Sequence, residues 1–523
     1  MKNDTYIIGV DNGSQSTKVI IFNQNGEVVV SVSEPLRPLI CRQPGYAEHP
    51  DDDLWDSIRT VLQKAMHEFR KKFGGGIGGG IGGGIGGGTS RGIDRIIGLG
   101  LCTIRCCRVF MKKDGTLAAP VMSWMDVRAY EKFEDRGDIA YTCPTTGYIT
   151  HRLTGELSDT AANAFQWQFP VDMDTWQWSS DETFFSSYNI PRHKLLALHP
   201  PGTILGYVTR EAAEATGLPE GLPVVGTGSD KAVEALGSGL TGRGSTGSGS
   251  IGSGFTGSGS TGSGSTGSGR CLISLGTYVA SMVHSNMNRP ATEACFTNFS
   301  CIPGEYLYES GGIRRGMSHV SWYKNMLGKE FADKAEAEGY TGEDYLAKDA
   351  ALVPPGADGL LTIPDWLAPA DQLYRKGVML GFRELHTRAH IYRSILEGIA
   401  MTLKNHYETM ISELSLSPGE IVVSGGGSNS DLLMQIIADM YGLPAIRNKV
   451  GGAAALGAAI CAAAATGLYG SIREAAGSMV VKRDEFRPDM ANYAVYAKIN
   501  DGVYKKLPEL LRPALESAYG VLR

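Results

Sequence analysis

Short apolar runs separated by small polar turns organise the chain from its start. Tyr6 to Val10 is apolar, Asp11 to Thr17 is polar around Gly13, and Val19 to Phe22 is apolar again, which predicts a β-hairpin. Asn25-Gly26, a dipeptide suited to the positive φ of a tight turn, closes it. The period then changes. Arg37 to Pro50 is proline-rich and extended, Asp51, Asp52 and Asp53 open a helix whose positive end they suit, and Leu54, Ile58, Val61, Leu62, Ala65 and Phe69 give it one apolar stripe. Ile96 to Cys102 reads as a buried strand leading into Thr103, Ile104 and Arg105. Pro120 to Ala129 reads as a strand end with a polar turn, and Gly147 to Glu156 as a short helix stopped by Gly155.

The same alternation returns in the second half. Pro223 to Gly226 is a strand, Thr227 to Asp230 a turn, and Lys231 to Leu236 a helix. Cys271 to Met282 repeats the opening theme, with Ser274, Leu275, Gly276 and Thr277 between two apolar runs. Gly377 to Glu397 runs from a strand into a long helix. Glu420 to Pro444 reads as a strand, then Gly425, Gly426 and Gly427, then a helix capped by Ser428, Asn429 or Ser430. A helical tail runs to Arg523.

Two tracts break the pattern. Gly74 to Gly88 and Gly242 to Gly269 are repetitive Gly, Ser, Thr and Ile sequence that cannot bury enough surface to order itself, so both read as flexible surface insertions. At 523 residues the chain exceeds one core, and its 20% charged and 42% hydrophobic residues are those of an ordinary globular protein. A net charge of −6 without a long basic run argues against nucleic acid as a main partner. Nine cysteines without a Cys-x-x-Cys suggest neither a zinc site nor a disulfide framework, and reduced cytoplasmic thiols are the simplest account. Met1 to Thr5 enters a strand directly, so no signal peptide is expected. Val450 to Ile472 is long enough to span a membrane, but its Ala and Gly suit close packing against protein, so no membrane span is expected.

The turns carry the candidate chemistry. Gly13 would let a ligand approach the backbone, successive N–H and hydroxyl donors could cradle a phosphate, Lys18 adds positive charge, and Asp11 could hold Mg²⁺ through water. A tight hairpin with a solvated acid fits those residues equally well. Asp230 could act as a general base or cap its helix, and Gly276 and Thr277 could bind phosphate or simply turn a hairpin.

The pattern Asp-x-Gly-[Ser/Thr]-x-[Ser/Thr]-x-[Lys/Arg] between two apolar strands resembles the first phosphate loop of the actin, Hsp70 and sugar-kinase superfamily. Over almost its whole length the chain is similar to the FGGY carbohydrate kinases within it. The resemblance implies an α/β fold of two actin-like, ribonuclease H-like domains with an active-site cleft between them. Residues 1–242 would hold the acceptor and metal, residues 270–480 the nucleotide, and 481–523 a helical tail, with 243–269 as an insertion. It implies ATP and Mg²⁺, with Asp230 as catalytic base at the acceptor and Asp11 on the metal. Gly13, Ser14, Ser16, Lys18, Gly276 and Thr277 would surround the phosphates, and Gly426, Gly427 and Asn429 would meet adenosine.

For the acceptor the resemblance points to Arg105, Trp124, Asp126 and Arg128, a Trp-x-Asp-x-Arg spacing whose bland alternative is a surface ion pair. Here the chain departs from the family. Thr103-Ile104-Arg105 stands where xylulose kinases have Met-His-Gly, Cys106 stands where glycerol kinases have Glu, and Phe382 replaces an aliphatic residue. The expectation is therefore a kinase for a primary hydroxyl of a small sugar or polyol, a pentulose such as xylulose first and glycerol or another polyol second. A homodimer is left open. One rival is an actin-like or chaperone-like ATPase, which would need no acceptor pocket. The other is a sugar-responsive regulator, which would need a DNA-binding appendage that the sequence lacks.

Overall fold

Two sheets with the same strand order frame the molecule. In the computed structural model, which describes residues 4–73, 92–242, 269–369 and 372–522, the first sheet is centred on Tyr6–Asn12. That strand pairs antiparallel with Ser16–Asn23, which continues to Val28–Pro35, and parallel with Ile96–Thr103, which continues to Pro223–Gly226. The second sheet is centred on Arg270–Leu275. It pairs antiparallel with Val279–Ser285, which continues to Tyr306–Ser310, and parallel with Glu420–Ser424, which continues to Ala445–Asn448. Ile204–Tyr207 edges the first sheet, and Cys295–Phe299 and Lys482–Phe486 edge the second. The readings of Gly74–Gly88 and of residues 243–268 lie outside the described residues.

Local sequence explains the repetition. Both central strands reverse within three residues, 13–15 in one half and 276–278 in the other. Gly26 takes φ +76° while Asn23 Oδ1 accepts from the Asn25 and Glu27 N–H groups, so the Asn-Gly turn forms as its chemistry requires. Helix Asp53–Phe73 buries Leu54, Ile58, Val61, Leu62, Ala65 and Phe69 against the first sheet, as their spacing predicts.

Three elements differ from expectation. The acid-led helix begins at Asp53, because Asp52 is taken by the Tyr148 hydroxyl and the Arg152 guanidinium and Asp53 by Arg37. Pro120 to Ala129 contributes only isolated pairings of Met122 with Glu48 and Arg108 before a 3-10 turn. The tail first adds strand Lys482–Phe486 to the second sheet and only then turns helical, over Met490–Gly502 and Leu507–Val521.

Helix Ala453–Ala465 leaves the second sheet and packs on strands Tyr6–Asn12 and Ile96–Thr103 of the first, across helix Asp230–Gly237. A Cβ at Gly9 or Gly100 would lie 1.9 Å from the carbonyl oxygen of Ala455 or Ala458. The two helices meet in the same way: a Cβ at Gly237 would lie 1.9 Å from Ala453 O, and one at Gly457 1.9 Å from Val233 O. Backbone rests on backbone, which only glycine permits, and this close packing accounts for the alanine-rich composition. Among the described residues no helix is long and apolar enough to cross a membrane.

Candidate active site

A cavity of about 570 Å³ lies where the two sheets face each other. The hairpin loop of the first half supplies Gly13, Ser14, Ser16 and Lys18, with Asp11 at the strand end; the loop of the second half supplies Gly276 and Thr277. Gly13 N donates to Ser16 O at 3.0 Å, which closes the first loop tightly and turns its small side chains to the cavity. Asp11 is half-buried, and its carboxyl is pushed up to about 6: desolvation is the main cause, Lys18 opposes it, and Asp230 and Glu234 add to it.

Asp230 stands in the first turn of helix Asp230–Gly237, and Ser229 is that helix's N-cap, its hydroxyl accepting from Ala232 N. The capping alternative for Asp230 therefore does not hold, because the neighbouring serine does that work. Asp230 lines the cavity, with Oδ1 2.8 Å from Lys231 N and 3.5 Å from Arg105 Nε. Burial raises its carboxyl above the ordinary range, Arg105 and Lys231 oppose that shift, and Glu234 and Glu309 reinforce it.

Arg105 and Trp124 line the cavity as expected, and Asp126 and Arg128 do not. Asp126 is fully buried, and its carboxylate accepts from Ala47 N, Arg128 N and the Arg128 guanidinium, capping the 3-10 turn Val127–Tyr130. Arg128 also pairs with Glu48 at 2.6 Å and lies 3.8 Å over the Tyr46 ring. Both residues spend their polar groups on protein, so their work is to hold the turn that presents Trp124 and Tyr130 to the cavity. Within the aromatic stretch Phe165 to Trp178, Trp167 faces the cavity, whereas Phe169 and Trp176 are core.

The triple glycine separates by position. Gly425 takes φ +84° and a Cβ there would lie 2.6 Å from Leu275 O, while Gly427 is packed against the Leu275 side chain. Gly426 has open space on its Cβ side and lines the cavity. Asn429 lines a smaller adjoining hollow beside Arg447 and Gly451. Ser430 is the N-cap of the following helix.

Models of the FGGY family of carbohydrate kinases match the chain in both halves: the N-terminal domain over residues 6–137 and 135–237, and the C-terminal domain over residues 271–466. The chain belongs to this family. It is similar to an Escherichia coli K12 protein described as an uncharacterized sugar kinase, YgcE, with 42% identity over 99% of this chain and 96% of that protein. A xylulose kinase of Lactococcus lactis is 25% identical over 98% of this chain and 99% of its own. Among solved structures, xylulose kinase from Rhodospirillum rubrum superposes with TM-score 0.73 at 24% identity, covering 98% of this chain and all of that one. Gluconate kinase from Lactobacillus acidophilus reaches 0.75 at 18%, with 98% and 100% covered. This is the two-domain actin-like fold, and the protein is an ATP-dependent sugar kinase.

Several residues of this FGGY kinase site were not anticipated. Glu309, in strand Tyr306–Ser310 of the second half, holds Arg105 with two hydrogen bonds of 2.7 and 2.8 Å and is fully buried. Its signal was an acid inside an otherwise apolar aromatic run. Glu234, one helical turn after Asp230, accepts from Lys231 Nζ and Ser274 Oγ, both at 2.9 Å, and from Ser424 Oγ. Burial would raise its carboxyl, but Lys231 and the two serines leave it below its ordinary value. Tyr130, Trp167, Tyr278 and Phe296 complete an aromatic wall. Cys106 takes φ +60° and its thiol is pushed up to about 12 by burial, so it meets the cavity as a neutral group.

A divalent cation fits this donor set. Asp11 and Asp230 are hard oxygen donors whose carboxyls are both raised, with the charge of Glu234 among the causes, which a cation would relieve. Among the described residues no three or more His, Cys, Asp or Glu side chains form a metal cage. Magnesium, which keeps waters and shares one or two carboxylates with substrate phosphates, needs none.

Proposed function

We infer that this kinase transfers the γ-phosphoryl group of ATP to a primary hydroxyl of a small neutral sugar or polyol, a pentulose such as xylulose before glycerol. One observation carries the reading: Asp230, a partly exposed carboxylate of raised pKa, stands in the same cavity as both hairpin loops and an aromatic wall. Asp230 takes the proton of the acceptor hydroxyl as its oxygen attacks the γ-phosphorus, and ADP leaves. Ser14, Ser16, Lys18, Gly276 and Thr277 surround the phosphates, and Gly426 with Asn429 meets adenosine. Asp11 would hold Mg²⁺, which supplies charge neutralisation at the phosphates.

The acceptor side explains the preference for a neutral sugar. Both terminal nitrogens of Arg105 are committed to Glu309 and its Nε faces Asp230, so its charge is already balanced. A carboxylate acceptor such as an aldonate would have to compete with Glu309 for it. Trp124, Tyr130 and Trp167 instead offer faces for the C–H side of a sugar.

An ADP-release screen of ketoses, polyols, aldoses and aldonates tests the reading. Acceptor-dependent turnover with a pentulose or polyol is expected; turnover with aldonates alone would sink the neutral-acceptor reading. ADP release driven by a protein partner and by no sugar would favour the chaperone-like rival.

A further inference from the structure

Behind the acceptor wall lies a second cavity of about 550 Å³. Trp167 and Phe296 line both cavities, so one aromatic partition, with ring centroids 5.3 Å apart, separates them. Residues 164–184 of the first half form one side and residues 288–299 of the second form the other. Asn288 Nδ2 donates to Asp174 Oδ1 at 2.9 Å across the gap.

The lining has the chemistry of a carbohydrate site. Aromatic faces of Trp167, Phe184 and Phe296 stand among the carboxylates of Asp172, Asp174 and Asp181. Sugar rings lay C–H faces on such rings and donate hydroxyl protons to such oxygens. Three carboxylates against the single lining guanidinium, Arg289, disfavour a phosphate.

Asn298 supplies an independent sign. It lines this cavity, is 1% exposed, and donates from Nδ2 to Glu309 at 2.7 Å, while its Oδ1 has no protein partner. Buried acceptors are normally satisfied, and a sugar hydroxyl would satisfy this one. Glu309 in turn grips Arg105, which faces Asp230, so the cavity wall is joined to the proposed base through two side chains.

We propose that this cavity is a second binding site for a free neutral sugar or polyol, sharing with the acceptor pocket a wall in which Asn298, Glu309 and Arg105 are joined. It rests on the reading of the neighbouring cleft as a sugar pocket, but its test does not depend on phosphoryl transfer. Equilibrium dialysis of the full chain without nucleotide, with radiolabelled xylulose, xylose and glycerol, should give two sites per chain for at least one probe. Ala291, exposed on the rim and absent from the cleft, provides the blocking variant. Ala291→Trp should leave one site, with ADP release changed by no more than about twofold as for other surface changes. Phe184→Ala, which removes a stacking face, should weaken the second site about fivefold. If Ala291→Trp removes no binding site and Phe184→Ala weakens none for any probe, the proposal is overturned, whatever the cleft itself binds. A failed acceptor screen would register only in ADP release.

Discussion

One step in from each hairpin loop, the first sheet pairs Asp11 with Lys18 and the second pairs Ser274 with Ala280. After the outer parallel strand, the first half begins its helix with Asp230 and the second with Ala453, behind Gly451 and Gly452. Strand order, loop length and helix placement therefore repeat, while the titratable chemistry does not. At the cleft the first half holds Asp11, Asp230 and Glu234 together with the cations that offset them. The second offers hydroxyls, backbone and glycine, which suit a ligand that brings its own charge. The exception is Glu309, which crosses from the second half to fix the first half's Arg105.

Of the changes that probe this division, Asp230→Asn has the largest effect. Phosphoryl transfer should fall by roughly 10²–10⁴, the usual contribution of a general base, with ATP affinity nearly unchanged. Rapid-quench turnover and nucleotide titration on one preparation would check it, and near-normal turnover removes Asp230 from the role. Next comes the link between halves. Arg105→Ala leaves Glu309 buried without its cation and should cost about 3–5 kcal/mol in urea unfolding. Glu309→Leu combined with Arg105→Met should lose less than the two single changes summed. Additive losses would mean that the two side chains do not act as a pair.

Glycines sharpen the contrast between packing and ligand contact. Gly457→Ala drives a methyl into the Val233 carbonyl and should cost about 3 kcal/mol, the upper range for overpacking. Gly426→Ala meets open space, so stability should hold within about 0.5 kcal/mol while KM for ATP rises. Unfolding by Gly426→Ala would show that the loop was misassigned. A change of opposite sign concerns Asp11. Its carboxyl, at about 6 when folded against an ordinary 3.8, binds its proton more tightly in the native state. That stabilisation is complete below about pH 4 and is lost as pH rises through 6. At neutral pH Asp11→Asn should therefore stabilise the ligand-free protein by on the order of 2–3 kcal/mol while impairing turnover. Calorimetry showing equal gains at low and neutral pH would contradict this account.

Much of the fold was legible because its signals are local. The opening hairpin, the Gly-Ser-Asp turn and the repeated loop each declare themselves through turn residues between apolar runs. What failed depended on direction. Trp-x-Asp-x-Arg reads alike whether the acid faces a ligand or caps a turn, and only the burial of Asp126 decides between them. Three consecutive glycines look equivalent until Gly425 and Gly427 are seen against Leu275 and Gly426 against open space. Glu309 was missed because its partner lies about 200 residues earlier, a separation that no local pattern carries.

The glycine-lined face of the first sheet also sets the order of assembly in the cell. Gly9 and Gly100 emerge early from the ribosome, but the helix that covers them lies about 350 residues beyond Thr103. At ordinary translation speed that delay is on the order of 20–70 s, during which the N-terminal half has an uncovered flank. The two sheets look like separable domains, yet the first cannot finish folding until nearly the whole chain has been made, and a nascent chain released early would need a chaperone to shield that flank.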